Sequence, residues 1–261
     1  QMAADGLGCD MDNIIVRGVD TDQSPYDSGS YASSTTYVTG GAVVKACESM
    51  RKRICEEAAA IMGLKSGEVD FDGETISEND NPEHSMTLSD LITSLEAGNG
   101  RIIEVTESHT SPVSPPPFIA GFVETEIDKE TGKVEIIDYV AVVDCGTVIN
   151  KNLAKIQVEG GIVQGIGMAL YEDVVYTQGG ELASNTFMQY KMPTRKDVGN
   201  IIVDFEESYE PTGPFGAKSV GEVVVNTPSP AIENAIYNGL GINLNTLPMT
   251  PEKVFMAMTN K

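Results

Sequence analysis

Phe215-Gly-Ala-Lys-Ser-Val-Gly-Glu222 is the stretch around which we expect this chain to be organised. It places one carboxylate, Glu222, after a glycine-flanked turn and directly before the apolar run Val223-Val-Val225. A carboxylate that apolar neighbours partly desolvate is able to act as a general base near neutral pH. The alternative is a carboxylate in the first turn of a helix, where it interacts with the helix dipole. The residues alone leave both interpretations open.

Composition and charge exclude two classes of protein. The chain has 261 residues, 41% of them hydrophobic, which is enough to fill the core of one large domain or two ordinary ones. Lys and Arg number 17 against 39 Asp and Glu, and the formal net charge of -22 repels nucleic acid. No stretch approaches the roughly 20 apolar residues of a membrane span, and the first residues lack the pattern of a signal peptide. We therefore expect a soluble cytoplasmic protein with no nucleic-acid or membrane partner.

The cysteines and histidines predict no metal site among the side chains. Cys9, Cys47, Cys55 and Cys145 are widely spread and form no C-x-x-C pair, the spacing typical of zinc sites and redox dithiols. We interpret them as thiols of a reducing compartment. The two histidines of the chain also lie far apart, in polar surroundings.

A segment of small and hydroxylated residues leads into a long helix. Residues 23–36 are mostly Ser, Thr, Gly and Tyr, and residues 37–61 have helical periodicity, with apolar positions recurring from Val43 to Ile54. Such a junction offers backbone N–H groups and hydroxyls to an oxyanion or a phosphate. Ordinary capping of the helix by one of the hydroxyls is the alternative.

The proline-rich stretch 111–117 predicts a boundary, because prolines this dense fit neither a helix nor a sheet. After it, residues 118–128 and 134–144 flank a short turn and predict a β-hairpin. We expect an α+β fold of two sub-domains, residues 1–116 and 117–261, with mixed or antiparallel sheet and long packed helices. Further strands are predicted at 13–17, 68–73, 101–106, 185–191 and 201–206, and further helices at 1–9, 87–96, 222–239 and 251–258.

A helix predicted over residues 153–172 contains a cluster of glycines at positions 160, 161, 165 and 167. Each glycine costs about 1 kcal/mol against alanine, so some interaction must compensate. Close approach of another backbone or of a planar ligand would do so, and Gln157, one turn ahead of the cluster, could hydrogen-bond that ligand. Tight packing of the helix on a sheet is an equally good explanation.

Three segments in one order resemble a known family. Residues 30–43, 157–170 and 216–222 together resemble the C-terminal part of the molybdenum-binding subunit of the xanthine dehydrogenase and aldehyde oxidase family. Their order and spacing fit from the first residues to the last helix. The chain departs from the family at Lys151 and Val223, where members commonly have proline.

The resemblance implies an oxidoreductase that hydroxylates an aromatic N-heterocycle, purine-like or nicotinate-like, or an aldehyde, with oxygen derived from water. It implies that a molybdenum-pterin (molybdopterin) cofactor carries the redox step and that Glu222 is the catalytic glutamate that activates the Mo-OH group. It implies cofactor contacts at Ala32, Ser33 and Thr35, and a glutamine beside the cofactor at Gln157. The alternative is a non-catalytic scaffold or assembly subunit of the same fold that binds no cofactor.

The resemblance also implies what other chains or domains supply. The family carries iron-sulfur clusters and FAD elsewhere, and the cysteine spacing here does not suit such clusters. The chain opens with Gln1 and lacks the family's Gly-Gln-Gly cofactor segment. We therefore expect an incomplete active site in this chain alone, completed by the N-terminal half of the molybdenum subunit. We expect these parts to form an oligomer, with the cofactor where the two sub-domains approach each other.

Overall fold

The chain divides into two compact units in a computed structural model that describes residues 1–18 and 20–259, apart from the side chain of Asn99. The first unit comprises Gln1–Ser114 and Pro211–Phe215, and the second comprises Pro115–Glu210 and Gly216–Lys261. Each combines helices with one three-stranded sheet, which confirms the α+β class. The sub-domain boundary predicted from the prolines stays a prediction.

The first unit is built on one long helix. This helix presents Ile54 and Ala58 to a core that also contains Phe71, Ile76 and Leu91 from the sheet and the following helix. A short helix, predicted over residues 1–9, ends at Leu7, because Gly8 adopts the left-handed conformation. The elements are α1 (Met2–Leu7), α2 (Gly40–Met62), an antiparallel sheet of β1 (Val69–Phe71), β2 (Thr75–Glu78) and β3 (Ser85–Thr87), and α3 (Leu88–Asn99).

The second unit is built on the predicted hairpin, which the structure confirms. Tyr139 and Val143 of the hairpin pack against Ile162, Ile166 and Ile232 of two helices, and all five are almost inaccessible to solvent. The third strand pairs in parallel with the second, because a helix crosses over between them. The elements are β4 (Phe118–Ile127), β5 (Val134–Asp144), α4 (Lys151–Leu170), β6 (Asn200–Phe205), α5 (Pro228–Leu240) and α6 (Pro251–Thr259).

Four predicted elements differ in the structure. The segments 13–17, 101–106 and 185–191 form no strand, because their β-branched and apolar residues have no neighbouring strand with which to pair. The helix predicted from Glu222 is a single 3₁₀ turn, and α5 begins only at Pro228. Proline lacks an N–H and suits the first turn of a helix, so Pro228 starts α5 instead of interrupting it.

Among the helices of the described part of the chain, none is both long enough and apolar enough to cross a membrane.

Candidate cofactor and catalytic site

The turn that begins the Glu222 motif is hydrogen-bonded to the chain that leaves β5. The carbonyl of Gly216 accepts from the amide of Thr147 at 2.8 Å, and the amide of Lys218 donates to the carbonyl of Cys145 at 2.7 Å. A Cβ atom at Gly146 would lie 2.3 Å from the Gly216 oxygen, and its φ of 69° also favours glycine. The close approach of these two backbones therefore depends on Gly146.

A buried ion pair lies at the same place. Lys218 Nζ donates to Asp144 Oδ2 at 2.8 Å, and Asp144 also accepts from Ser208 Oγ and from the amide of Gly146. Burial alone would raise the pKa of Asp144, but the hydrogen bonds from Lys218, Gly146 and Ser208 outweigh it and lower that pKa below its ordinary value. This pair was not predicted from the sequence, because its partners are 74 residues apart and neither stands in a pattern that indicates the other.

The glycines of α4 accommodate the segment that follows Glu222. A Cβ atom at Gly161 would lie 2.0 Å from Val224 Cγ2, and one at Gly165 would lie 2.5 Å from Pro228 Cγ. Around Gly160, in contrast, nothing lies within 4 Å of the added atom. Close approach of another chain segment therefore explains Gly161 and Gly165, whereas Gly160 faces open space.

Glu222 and Gln157 both lie on the surface of the second unit. The expectation that apolar neighbours would desolvate Glu222 is wrong for this chain, because Val224 is buried and Glu222 is exposed. Gln157 is exposed on α4, one turn before Gly161. The carbonyl oxygen of Gly221 lies 3.8 Å from the Cβ position of Gly161. Since residues four apart share a face of a helix, Gln157 lies about one turn from where the Glu222 segment packs on α4.

The hydroxyl-rich loop of the first unit has an unusual backbone. Ala32 and Ser33 have φ values of 51° and 56°, in the left-handed region. This conformation costs non-glycine residues about 1–2 kcal/mol each, and such positions cluster at ligand and active sites. Thr35 begins a turn of π-helix, Thr35–Thr39, which leads directly into α2. Ala32 and Thr35 are exposed, and Ser33 is half-buried.

The hydroxyls of this loop do not cap α2 in the ordinary way. Thr39 occupies the position before α2, and its side chain makes no capping hydrogen bond. Ser34, which precedes the π-helical turn, makes none either. The ordinary capping alternative therefore finds no support at Ser34 or Thr39.

Protein ligands for a metal ion are not grouped anywhere in residues 1–18 and 20–259: no three His, Cys, Asp or Glu side chains are arranged to hold one. The buried Cys145 is also a poor ligand, since burial raises the pKa of its thiol to about 11 and keeps it protonated near neutral pH. The polar groups of the candidate site are instead hydroxyls, amides and one carboxylate.

A known family of cofactor-binding domains matches most of the chain. Residues 1–199 match the family of molybdopterin cofactor-binding domains, a span that includes Ala32, Ser33, Thr35 and Gln157 but ends before Glu222.

Two curated relatives cover nearly the whole chain. It is 32% identical over 263 residues to "Probable hypoxanthine oxidase XdhD" of Escherichia coli (strain K12), a match that covers 99% of this chain and 27% of that protein. It is 31% identical over 260 residues to the xanthine dehydrogenase molybdenum-binding subunit of Escherichia coli O157:H7, a match that covers 98% of this chain and 35% of that protein.

A solved structure shares the fold as well. The reconstituted CO dehydrogenase from Oligotropha carboxidovorans superposes with a TM-score of 0.86 at 25% identity, over 99% of this chain and 33% of that chain. The present chain thus spans about a quarter to a third of the length of the proteins that it matches. With a family model matched over residues 1–199, the chain belongs to the family of molybdopterin cofactor-binding domains, which confirms the predicted resemblance to the molybdenum-binding subunits of the xanthine dehydrogenase and aldehyde oxidase family.

Proposed function

We propose that this chain forms part of the active site of a molybdenum hydroxylase that acts on an aromatic N-heterocycle or an aldehyde, with Glu222 as its general base. The observation that carries the proposal is the way Glu222 is held. The turn before it is hydrogen-bonded to the end of β5, and the turn after it packs on Gly161. This arrangement leaves an exposed carboxylate at a fixed place. The names of the two curated relatives, which refer to hypoxanthine and xanthine, favour a purine-like N-heterocycle.

The residues of the chain fit a molybdopterin cofactor. Ala32, Ser33 and Thr35 lie in a strained loop whose hydroxyls and amides suit the phosphate and the polar edge of a pterin. Gln157 is exposed, and its side-chain amide is able both to donate and to accept hydrogen bonds. We propose that these four residues contact the cofactor. When bound, the cofactor supplies the redox chemistry.

Glu222 contributes a proton acceptor. One of its carboxylate oxygens would accept the proton of the water-derived hydroxyl group, which is the kind of step that a positioned base accelerates. The two electrons that the substrate loses would pass to the bound cofactor. Gln157, about one turn of α4 away from the Glu222 segment, orients the bound group by hydrogen bonds through its amide. Neither side chain needs to move far, because packed backbone holds both.

Other parts of the enzyme supply electron transfer. Because the matched proteins are about three times as long as this chain, we propose that the N-terminal half of the molybdenum subunit completes the site. Iron-sulfur clusters and FAD belong to other domains or subunits in this proposal, and the small-molecule substrate binds in the assembled oligomer. The four cysteines are free thiols, in keeping with a cytoplasmic enzyme.

Replacing Glu222 by glutamine in the complete enzyme tests the proposal. We expect Glu222→Gln to lower kcat by about 100-fold or more, the usual effect of losing a general base, with the molybdenum content unchanged. Glu252→Gln is the matched control, because Glu252 is an exposed glutamate of the same unit in the first turn of α6. It should leave kcat within about twofold, since a helix-dipole contact contributes only a few tenths of a kcal/mol.

Two outcomes would contradict the proposal. If Glu222→Gln keeps the turnover of the wild type while molybdenum remains bound, Glu222 is not the base. If the complete wild-type enzyme binds no molybdenum, the chain is a scaffold of the same fold.

A further inference from the structure

We propose that Lys218, through its ion pair with Asp144, is a positioning residue for Glu222. This inference rests on the proposed function, because it concerns how the proposed base is held. Lys218 stands four residues before Glu222 in the motif.

The ammonium group of Lys218 is buried beside a carboxylate and an aromatic ring. The Lys218 side chain is 6% exposed and that of Asp144 is 19% exposed. The ammonium lies 2.8 Å from Asp144 Oδ2 and 5.4 Å from the centre of the Phe118 ring. Ser208 Oγ donates to the same carboxylate at 2.8 Å. Lysine is rarely this buried unless a partner compensates, and here a carboxylate and an aromatic face do so together.

The ion pair lies at the end of the sheet of the second unit. Asp144 is the last residue of β5, the central strand of that sheet. The ion pair therefore joins the turn to the sheet through side chains, at the point where the amide of Lys218 joins it through the backbone. On the other side of Glu222, Val224 packs on Gly161 of α4. Glu222 thus lies on a short connection with both ends fixed.

An ion pair with a buried lysine is not the most stabilising way to fill this place. A largely buried pair of charges contributes little to stability compared with well-packed apolar residues of the same volume. What they contribute is a defined geometry, because breaking the pair leaves a costly unpaired charge. A device that sets geometry, next to a proposed catalytic carboxylate, fits a positioning role better than a purely stabilising one.

The test separates these two roles in the complete enzyme. Lys218→Met leaves Asp144 buried without its cation, and Lys218→Met with Asp144→Asn removes both charges. We expect Lys218→Met to lower kcat about 10-fold or more, with KM within about twofold, because small misplacements of a reacting group are costly. The double variant should regain the Tm of the wild type but not its kcat. Lys218→Arg, which keeps a cation, should recover part of kcat.

Lys133→Met is the matched control. Lys133 also pairs with a carboxylate, Glu135, but both side chains are more than half exposed. We expect the kcat and Tm of Lys133→Met to equal those of the wild type, because exposed ion pairs contribute little to stability.

Hydrogen exchange gives a readout that does not depend on turnover. Peptides that cover residues 216–226 should exchange faster in the double variant than in the wild type, whereas peptides from α5 should not change. If the double variant has wild-type kcat and wild-type exchange in this segment, the ion pair is merely structural and the inference is wrong.

A double-mutant cycle with Glu222→Gln distinguishes the two proposals. If Lys218 acts through Glu222, Lys218→Met causes no further loss in the residual rate of Glu222→Gln, whereas additive losses overturn the inference. If Glu222→Gln alone keeps wild-type turnover, the proposed function fails instead. The exchange of residues 216–226 then decides by itself whether Lys218 holds the turn.

Discussion

Residues 216–224 of the second unit and residues 30–36 of the first unit both contain residues with a proposed role, and they are held by different interactions. Residues 216–224 are fixed by tertiary contacts: the ion pair of the buried Lys218, backbone hydrogen bonds, and the packing of Val224 on Gly161. Residues 30–36 are more exposed, and their geometry lies in the strained backbone of Ala32 and Ser33. Substitutions in residues 216–224 should therefore lower the free energy of unfolding, whereas substitutions at the strained positions of residues 30–36 should leave it equal or higher.

The largest effect is expected at Asp144. Asp144→Asn leaves Lys218 buried without a carboxylate, which should cost about 3 kcal/mol at neutral pH. Because folding lowers the pKa of Asp144, its stabilising effect is present above the unfolded-state pKa of about 3.9 and is lost as the pH falls through the lower, folded-state value. Urea denaturation, followed by hydrogen exchange of peptides from the second unit, measures the difference between variant and wild type.

That difference should be constant above about pH 5 and should shrink on acidification below it. A difference that stays the same down to pH 3 would show that the Asp144 carboxylate does not stabilise the fold through its charge.

A smaller effect is expected at Gly161. A methyl group there meets Val224 at 2.0 Å, and overpacking of this kind costs about 1–3 kcal/mol. The neighbouring Gly160 is the control, since its added methyl meets nothing within 4 Å. Gly160→Ala should stabilise α4 by about 0.5–1 kcal/mol, because alanine is the better helix former. Tm values of the two variants should move in opposite directions, and a shared direction would contradict the packing described for this helix.

The smallest effect is expected in the loop of the first unit. Ala32→Gly removes the strain of a left-handed alanine, about 1–2 kcal/mol, but adds the entropy cost of glycine. The free energy of unfolding should therefore rise by up to about 1 kcal/mol. Ala60→Gly, at an exposed position of α2, should instead lose about 1 kcal/mol. Hydrogen exchange of the first unit under increasing urea compares the two. Equal losses in both variants would mean that position 32 is not strained.

Local patterns predicted much of the fold. The hairpin of β4 and β5 and the long helix α2 both depend on residues close in sequence, and the structure confirms them. The strands predicted at 101–106 and 185–191 failed because a strand exists only with a partner, which a local pattern does not reveal.

The site was predictable in its segments but not in its geometry. The glycines of α4 indicated a close approach, yet only the structure shows that Gly161 receives Val224 while Gly160 stays open. The pairing of Asp144 with Lys218 and the left-handed backbone of Ala32 arise from tertiary contacts, for which these residue types give no signal. The roles of Ala32, Ser33, Thr35, Gln157 and Glu222 stay predictions.

The connection between Lys218 and Val224 also limits how this motif is able to vary among related sequences. Five residues, 219–223, link two fixed points. A change of side chain within them leaves the length of the connection unaltered. An insertion or deletion of one residue would displace the chain by up to about 3.5 Å, farther than a base is able to shift and still reach its proton. Alignments of this family should therefore show substitutions at the positions around Glu222 but no gaps in this segment.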